Sequence, residues 1–271
     1  MDYRGVIERA FTRLFGEISK VRSDAEMRSA VGKGASGDTT HTIDMLAEKL
    51  LIDSFRKDLP RCTIVSEEAG IVKGDGDAPI VLMDPIDGST NAIRGVPVFC
   101  ASAGILEGHM FGGMKTAGVV DLISGEIITG DKEGVFLNRK KQKLSIIEDI
   151  SEALVSFELK VRVERPKEIM ERICSLVSQT KYPRILGSAA LEIAYVAIGR
   201  MDGYVAPGRQ LRNYDCLPSI FLVKSAGGFV QGIGQYLDSI DVMSKERVSF
   251  VVAGDKKLGQ SIADAFSNIM V

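Results

Sequence analysis

Apolar residues recur at helical spacing near the start of the chain. Between residues 3 and 20 they fall three or four positions apart, which predicts an amphipathic opening helix. A second set, from Ile43 to Phe55, predicts another helix with Asp44 in its first turn. Apolar runs at 62–65 and 80–83 predict short strands, and each is followed by acidic residues. Three or four further strands are expected between residues 99 and 138.

The second half of the chain predicts an alternation of strands and helices. The expected elements are a strand near 153–159, a helix near 166–179, a strand near 184–187, a helix near 188–198, a strand near 202–206, a helix near 215–226, a strand at 248–252 and a closing helix. Such alternation is typical of a layered α/β domain. The charged segment 139–151 predicts a boundary between an N-terminal α+β domain, 1–145, and a C-terminal α/β domain, 146–271.

The charge balance, the length of the apolar runs and the cysteine spacing argue against several classes of protein. The 271 residues carry a net charge of −2, from 34 basic and 36 acidic residues. That balance predicts neither a nucleic-acid partner nor an anionic membrane partner. No apolar run reaches the roughly 18 residues that span a bilayer, and residues 1–5 lack the apolar core of a signal peptide. The four cysteines are scattered without a Cys-x-x-Cys pair, which favours reduced thiols and a cytoplasmic location.

The most informative segment is Asp84-Pro85-Ile86-Asp87-Gly88-Ser89. Two aspartates follow a predicted buried strand, and Ser89 is expected to cap a helix that starts there. Carboxylates and a peptide carbonyl would converge beside a helix N-terminus, where Mg²⁺ and phosphate could both bind. An ordinary Asx-turn is the alternative interpretation, because Asp, Pro and Gly are common turn residues.

Two other acidic positions strengthen the metal interpretation. Glu67 and Glu68 follow a predicted strand, and Asp215 is expected at the N-cap of an apolar helix. Pro218 would then fall in the first turn, where its missing N–H costs nothing. Asp215 could also be a plain N-cap residue. Taken together, the acidic positions predict one carboxylate cage for a cation.

These motifs resemble the inositol monophosphatase and fructose-1,6-bisphosphatase superfamily. The segments that carry the resemblance are Asp84–Ser89 (D-P-[IL]-D-G-[ST]), Ser66–Glu68, Asp38–Asp44 with His41 at a usual Thr, Gly187–Ala190, and Tyr214-Asp215 followed by Ala226–Gly228. They occur in the family's order over nearly the whole chain. The resemblance implies an α/β (α+β) fold, the five-layer αβαβα sandwich of this superfamily, and a homodimer.

The resemblance also implies roles for individual residues. The implied metal ligands are Glu67, Asp84, the Ile86 carbonyl, Asp87 and Asp215, holding two or three Mg²⁺ ions, with Mn²⁺ as an alternative. Asp44 and Ser89 would orient the attacking water, and Glu67 would bridge metals. The N–H groups of Gly88 and Ser89, with Ser188 or Ala189, would hold phosphate oxygens. Lys33 matches the family's active-site loop lysine.

Departures from the family pattern bear on the substrate. No acidic residue lies between Asp202 and Asp215, where vertebrate inositol enzymes carry a substrate-binding glutamate. Segment 91–95 resembles archaeal dual-specificity members instead. Arg94, Arg209 and Arg212 flank the predicted site, and arginine forks bind phosphate well. Each could equally be a surface or dimer-contact residue.

The prediction is therefore a Mg²⁺-dependent phosphomonoesterase acting on inositol 1-phosphate, fructose 1,6-bisphosphate, or both. Hydrolysis of 3′-phosphoadenosine phosphate and a non-catalytic interaction module are the alternatives. The match of segment 32–37 to G-x-G-x-x-G lacks a preceding hydrophobic strand, so a dinucleotide site is not expected. His41 is expected to face solvent at a helix start.

Overall fold

The fold is described from a computed structural model, which covers residues 1–22, 26, 29–35, 37, 39–76, 78–159, 166–244 and 246–267. Asp38, which belongs to one of the motifs above, lies outside the described residues. Within those ranges the α-helices are α1 (Tyr3–Val21), α2 (Thr42–Asp58), α3 (Ser89–Arg94), α4 (Pro166–Gln179), α5 (Ala189–Ala197), α6 (Asn213–Ala226) and α7 (Lys256–Asp264). Among these helices, none is both long enough and apolar enough to cross a membrane.

The described strands form one hairpin and two large sheets. They are β1 (Ala30–Lys33), β2 (Thr39–His41), β3 (Thr63–Ser66), β4 (Gly70–Val72), β5 (Ile80–Asp87), β6 (Cys100–Leu106), β7 (Met114–Asp121), β8 (Ile127–Asp131), β9 (Gly134–Leu137), β10 (Lys140–Lys141), β11 (Leu154–Phe157), β12 (Tyr182–Arg184), β13 (Gly203–Arg212), β14 (Phe229–Gly232) and β15 (Arg247–Ala253).

The two large sheets differ in strand direction. The described part of the first has eight strands in the order β10-β9-β8-β7-β6-β5-β3-β4, and only its β3–β5 pair is parallel. The described part of the second has five strands in the order β12-β11-β13-β15-β14, with β12, β11 and β13 parallel. The parallel pairs matter for function, because the carboxyl ends of parallel strands meet at one edge of a sheet.

Alternation along the strands buries both faces of each sheet. Val81 and Met83 pack in a core with α1 and α2, whereas Leu82 between them packs with α5 and α6. The opposite side of α5 and α6 packs on the second sheet, and α4 and α7 cover that sheet's outer face. The layers are therefore α1/α2, first sheet, α5/α6, second sheet and α4/α7. This confirms the predicted five-layer αβαβα sandwich.

Several predicted boundaries move by a few residues. Strand β5 continues past Met83 to Asp87, and a bulge between Asp84 and Asp87 absorbs Pro85, so the proline does not end the strand. Strand β13 runs on to Arg212, and β12 ends at Arg184 rather than beginning there. Segment 142–153 connects the two sheets. The division into domains at 145/146 stays a prediction, since α5 and α6 share a core with both sheets.

Candidate metal centre and active site

Strands β3 and β5 place two acidic residues side by side. They pair in parallel with Ser66 opposite Met83, so the next residues, Glu67 just after β3 and Asp84 within β5, lie at the same end of this strand pair. Asp84 is buried at 2% exposure, and its Oδ1 accepts a hydrogen bond from the Ile86 N–H at 3.1 Å. The turn thus fixes the Asp84 carboxylate against its own backbone, which is the Asx-turn considered above.

A third carboxylate arrives from the start of α6. Asp215 is the third residue of that helix, not its N-cap, and its Oδ2 accepts the N–H of Arg212 at 2.8 Å. Pro218 consequently lies beyond the first turn, inside the helix, which corrects the predicted position. One ligand oxygen from each of Glu67, Asp84 and Asp215 lies within 4.8 Å of the other two. The fold thus brings these predicted ligands together.

Electrostatics favours a cation among these carboxylates. Burial, and then the charges of Glu67, Asp87 and Asp215, raise the pKa of Asp84 well above its usual value. Negative groups so close together repel each other unless positive charge lies between them. Because all the donors are hard oxygens, the cluster fits Mg²⁺ or Mn²⁺ better than a soft cation. The acidic cluster is therefore one that can bind a metal ion.

Asp87 lies outside this group of three. Its Oδ2 accepts hydrogen bonds from Ser188 Oγ at 2.7 Å and from the Ala190 N–H at 2.8 Å. The carboxylate thus caps the beginning of α5, although burial, the largest influence, raises its pKa to about 7. The Ile86 carbonyl, another predicted ligand, accepts a hydrogen bond from Ser89 Oγ at 2.9 Å.

The predicted water-orienting residues lie together at the start of α2. Asp44 is 1% exposed, and its Oδ2 accepts the His41 N–H at 2.8 Å. Burial raises the pKa of Asp44, while hydrogen bonding and the charge of His41, together with the Ser89 hydroxyl, lower it. His41 does not face solvent as predicted. Its side chain is 13% exposed, and Nδ1 lies 3.4 Å from Asp44 Oδ2.

Gly88, not Ser89, is the N-cap residue of α3. Its φ of 89° lies in the left-handed region that favours glycine. A Cβ there would also lie 3.1 Å from the Val98 carbonyl and 3.3 Å from the Gly187 carbonyl. Ser89 is the first helical residue, and its hydroxyl bonds backwards to Ile86 instead of capping the helix. The lack of a side chain at Gly88 therefore allows loop 86–89 to pack closely against the backbone at residues 98 and 187.

The residues expected to hold phosphate from α5 are buried. Ser188 is fully buried, with its hydroxyl on Asp87 and its N–H donated to Glu192 Oε1 at 3.2 Å. Ala189 is 4% exposed. Phosphate binding by these two residues stays a prediction. In this structure the hydrogen bonds of Ser188 connect Asp87 to the interior of the protein.

The three predicted substrate arginines occupy different environments. Arg212 is the N-cap residue of α6, and its Nη1 lies 3.4 Å from Glu67 Oε1, which belongs to the carboxylate cluster. Arg209 is exposed on β13 with a φ of 49°, and Arg94 is exposed at the end of α3. Lys33 is exposed on β1. Of the arginines, the structure brings only Arg212 into contact with a predicted ligand.

Sequence reasoning missed one residue that contacts several parts of this region. Glu192, in the first turn of α5, accepts the backbone N–H groups of Leu186, Gly187 and Ser188 at 3.1–3.2 Å. An acidic residue in the first turn of an otherwise apolar helix is the signal that could have identified it.

The fold and the site together define the class of protein. It is a layered αβαβα protein with a carboxylate cluster for a cation between the end of the first sheet and the start of a central helix. At the start of α2, the buried carboxylate of Asp44 interacts with the hydroxyl group of Ser89, which follows the β5 aspartates in the chain.

Comparison with known proteins places the chain within this class. The inositol monophosphatase family matches residues 4–270, so the chain belongs to that family, which supports a phosphatase of the hydrolase class. It is 31% identical to the fructose-1,6-bisphosphatase/inositol-1-monophosphatase of Methanothermobacter thermautotrophicus over 273 residues, covering 96% of this chain and 95% of the relative. It is 32% identical over 216 residues to Nus factor SuhB of Escherichia coli, covering 79% and 78%.

A solved structure agrees with the fold. The extragenic suppressor protein suhB of Bartonella henselae superposes with a TM-score of 0.85 at 21% identity, covering 99% of both chains. At that identity the likeness shows the fold alone. The predicted family and fold are confirmed.

Proposed function

We propose that this protein is a divalent-cation-dependent phosphomonoesterase that hydrolyses inositol 1-phosphate and fructose 1,6-bisphosphate with Mg²⁺. The observation that carries the proposal is the group of Glu67, Asp84 and Asp215 oxygens within 4.8 Å of one another, in a chain that belongs to the inositol monophosphatase family. Phosphate esters resist unaided hydrolysis, so the site must supply concentrated charge and accurate positioning.

Asp44 is the group that would take the proton of the attacking water. Its Oδ1 is buried and makes no hydrogen bond to the described residues, so it can accept one from water. Ser89 would orient the same water. Its single hydroxyl proton can be donated to the Ile86 carbonyl, 2.9 Å away, or to Asp44, and in either case its oxygen lone pairs can accept a hydrogen bond from water.

Glu67, Asp84 and Asp215 would hold the cation, with Asp87 and the Ile86 carbonyl completing its surroundings. When bound, a divalent cation would neutralise phosphate charge and lower the pKa of water in contact with it. The N–H groups of Gly88 and Ser89, at the start of α3, would orient phosphate oxygens.

The choice of substrates rests on charge and on one relative. The curated relative from Methanothermobacter thermautotrophicus is named for both substrates. Exposed Arg209 and Arg94 would attract a second phosphate away from the bond that breaks. Arg209→Ala should therefore raise KM for the bisphosphate several-fold more than for inositol 1-phosphate. Arg9→Ala is the matched control, since Arg9 is an exposed arginine of α1 paired with Asp58 at 2.9 Å.

A phosphate-release assay tests the proposal. Inositol 1-phosphate, fructose 1,6-bisphosphate and 3′-phosphoadenosine 5′-phosphate would be compared with Mg²⁺, with Mn²⁺ and after EDTA treatment. We expect release from the first two, loss with EDTA and recovery when Mg²⁺ is restored. Near-normal turnover in Asp84→Asn, Asp87→Asn and Asp215→Asn alike would show that the site is wrongly assigned. If phosphate were released only from 3′-phosphoadenosine 5′-phosphate, the protein would be a nucleotide phosphatase and the proposed substrates would be wrong.

A non-catalytic role is the second candidate, and one observation favours it. The relative from Escherichia coli, 32% identical, is named Nus factor SuhB. If no phosphate ester in the panel is hydrolysed although Mn²⁺ binds, the chain would be an interaction module on the same fold. The homodimer and the cytoplasmic location form part of the first proposal. Sedimentation of the purified chain would test the dimer.

A further inference from the structure

The turn before α5, residues 186–188, is held by the buried carboxylate of Glu192. Glu192 is 3% exposed, and three consecutive backbone N–H groups point at its two oxygens. Leu186 donates to Oε2 at 3.1 Å, while Gly187 and Ser188 donate to Oε1 at 3.1 and 3.2 Å. Gly187 has a φ of 80°, and this left-handed conformation lets successive N–H groups converge on one anion.

The same turn is also fixed from its carbonyl side. Asn91 Nδ2 donates to the Leu186 carbonyl at 2.9 Å and to the Val98 carbonyl at 2.8 Å. Ser156 Oγ on β11 donates to Glu192 Oε2, which ties the carboxylate to the second sheet. With its N–H groups and a carbonyl both bonded, the turn has little freedom to move.

The turn helps to hold the side chain of Asp87 in place. Ser188 connects the two carboxylates, because its N–H bonds to Glu192 and its hydroxyl donates to Asp87 Oδ2 at 2.7 Å. The Ala190 N–H holds the same Oδ2 at 2.8 Å. Every hydrogen bond that the described residues make to the Asp87 side chain goes to Oδ2, so the orientation of Oδ1 follows from how Oδ2 is held.

We infer that Glu192 is a positioning residue of the cation site, which fixes the Leu186–Ser188 turn and through Ser188 sets the orientation of Asp87. The inference rests on the proposed function, since it assigns Asp87 to the cation. Groups that orient metal ligands contribute strongly to affinity, and losing one commonly costs tenfold or more. In the described part of the chain, the hydrogen bonds of Glu192 go to Ser156 and to residues 186–188 and not to the cluster carboxylates, so we expect its effect to pass through Asp87.

The test measures binding of Mn²⁺ alone, by electron paramagnetic resonance of the free ion, on the full chain without substrate. Glu192→Gln keeps the shape of the side chain but turns an N–H₂ group toward backbone N–H donors. We expect its Mn²⁺ affinity to fall about tenfold. Thr116→Val is the matched control. It removes a buried hydroxyl that donates to the Gly130 carbonyl at 2.8 Å in the first sheet, and should leave Mn²⁺ affinity within about twofold.

A double-mutant cycle separates positioning from general loss of stability. In an Asp87→Asn background, Glu192→Gln should change Mn²⁺ affinity by less than about twofold, because the group that transmits its effect is already altered. A tenfold loss in both backgrounds, or no loss in either, would overturn the inference. If Glu192→Gln does not fold, Ser156→Ala takes its place, with an expected loss of about threefold that also disappears with Asp87→Asn.

The same proteins separate this inference from the proposed function. An Asp87-dependent loss of Mn²⁺ affinity without phosphate release from any substrate would support the positioning role and reject the phosphatase. Phosphate release by the wild-type chain with unchanged Mn²⁺ binding in Glu192→Gln would support the phosphatase and reject the positioning role.

Discussion

Helices α2 and α6 begin in the same way but contribute differently to the site. Each has an aspartate as its third residue, Asp44 or Asp215, whose carboxylate accepts the N–H of the residue just before the helix at 2.8 Å. In both helices that preceding residue is basic, and its side chain lies 3.4 Å from a carboxylate oxygen. His41 faces Asp44, whereas Arg212 faces Glu67.

The difference comes from what lies opposite each helix start. Asp215 meets Glu67 and Asp84, and so joins the group of three carboxylates. Asp44 meets His41 and the Ser89 hydroxyl, and its Oδ1 has no hydrogen-bond partner among the described residues. In the proposed function, the same local arrangement would provide a cation ligand at α6 and a proton acceptor at α2. Helix capping thus orients the carboxylate, and the packing of the layers determines which groups the carboxylate contacts.

The largest effect should come from removing the carboxylate at α6. Asp215→Asn keeps the hydrogen bond to the Arg212 N–H through its amide oxygen but removes a negative charge that would hold the proposed cation. We expect kcat/KM to fall at least about a hundredfold and Mn²⁺ affinity to fall with it. Phosphate release and Mn²⁺ binding would be measured on the same preparation. Unchanged Mn²⁺ binding would show that Asp215 only caps helix α6 and does not bind the cation.

The corresponding change at α2 should separate catalysis from cation binding. Asp44→Asn is expected to lower kcat about a hundredfold, since an amide cannot accept the proton of the attacking water. Mn²⁺ affinity should stay within about twofold, because Asp44 is not one of the grouped ligands. Steady-state kinetics with Mn²⁺ titration would check both. A parallel loss of Mn²⁺ binding would mean that the two helices provide the same function.

A smaller change is expected at Arg212. The guanidinium lies 3.4 Å from Glu67 Oε1, so it would compete with a bound cation for that oxygen. Arg212→Met keeps much of the aliphatic length and removes the charge, so Mn²⁺ affinity should rise by about two- to fivefold. Calorimetric titration with Mn²⁺ would measure the change, with Arg209→Met, an exposed arginine of β13, as the control. A fall in affinity would show that Arg212 supports the cluster.

The smallest expected effect is a shift in pH dependence at α2. Burial raises the pKa of Asp44, and His41 opposes that rise. Asp44 must be ionised to accept a proton, so activity is lost as the pH falls through this pKa. His41→Gln removes the opposing charge, and the acid limb of the kcat profile should move to higher pH. A profile with an unmoved acid limb would mean that another group controls it.

Much of the site could be predicted because its residues lie at predictable ends of elements. Glu67 and Asp84 follow buried apolar runs, and parallel pairing of those runs then places both at one edge. The prediction of Asp215 as a ligand candidate used the same logic for a helix start. Its exact position was wrong by three residues, because β13 extends to Arg212 and the helix begins two residues before Asp215.

Other parts of the site depend on long-range packing and leave little local signal. The solvent-facing prediction for His41 was wrong: His41 ends β2, where it pairs with Ala30, and its imidazole lies against Asp44 with 13% of the side chain exposed. Glu192 looked like an ordinary first-turn glutamate, and its partners, Leu186–Ser188 and Ser156, are known only once α5 is packed on β11.

By itself, the sequence determined the family, the layered α/β fold and the acidic residues from which a cation site can be built. Apolar periodicity specifies which face of each element is buried, and that local information is written residue by residue. Only the tertiary structure decided which carboxylates share one space, that Arg212 rather than Arg209 meets Glu67, and that Asp87 is held by the start of α5. The physical reason is that hydrogen bonds and charges act over a few ångströms, and residues 87 and 188 come that close only when the layers pack.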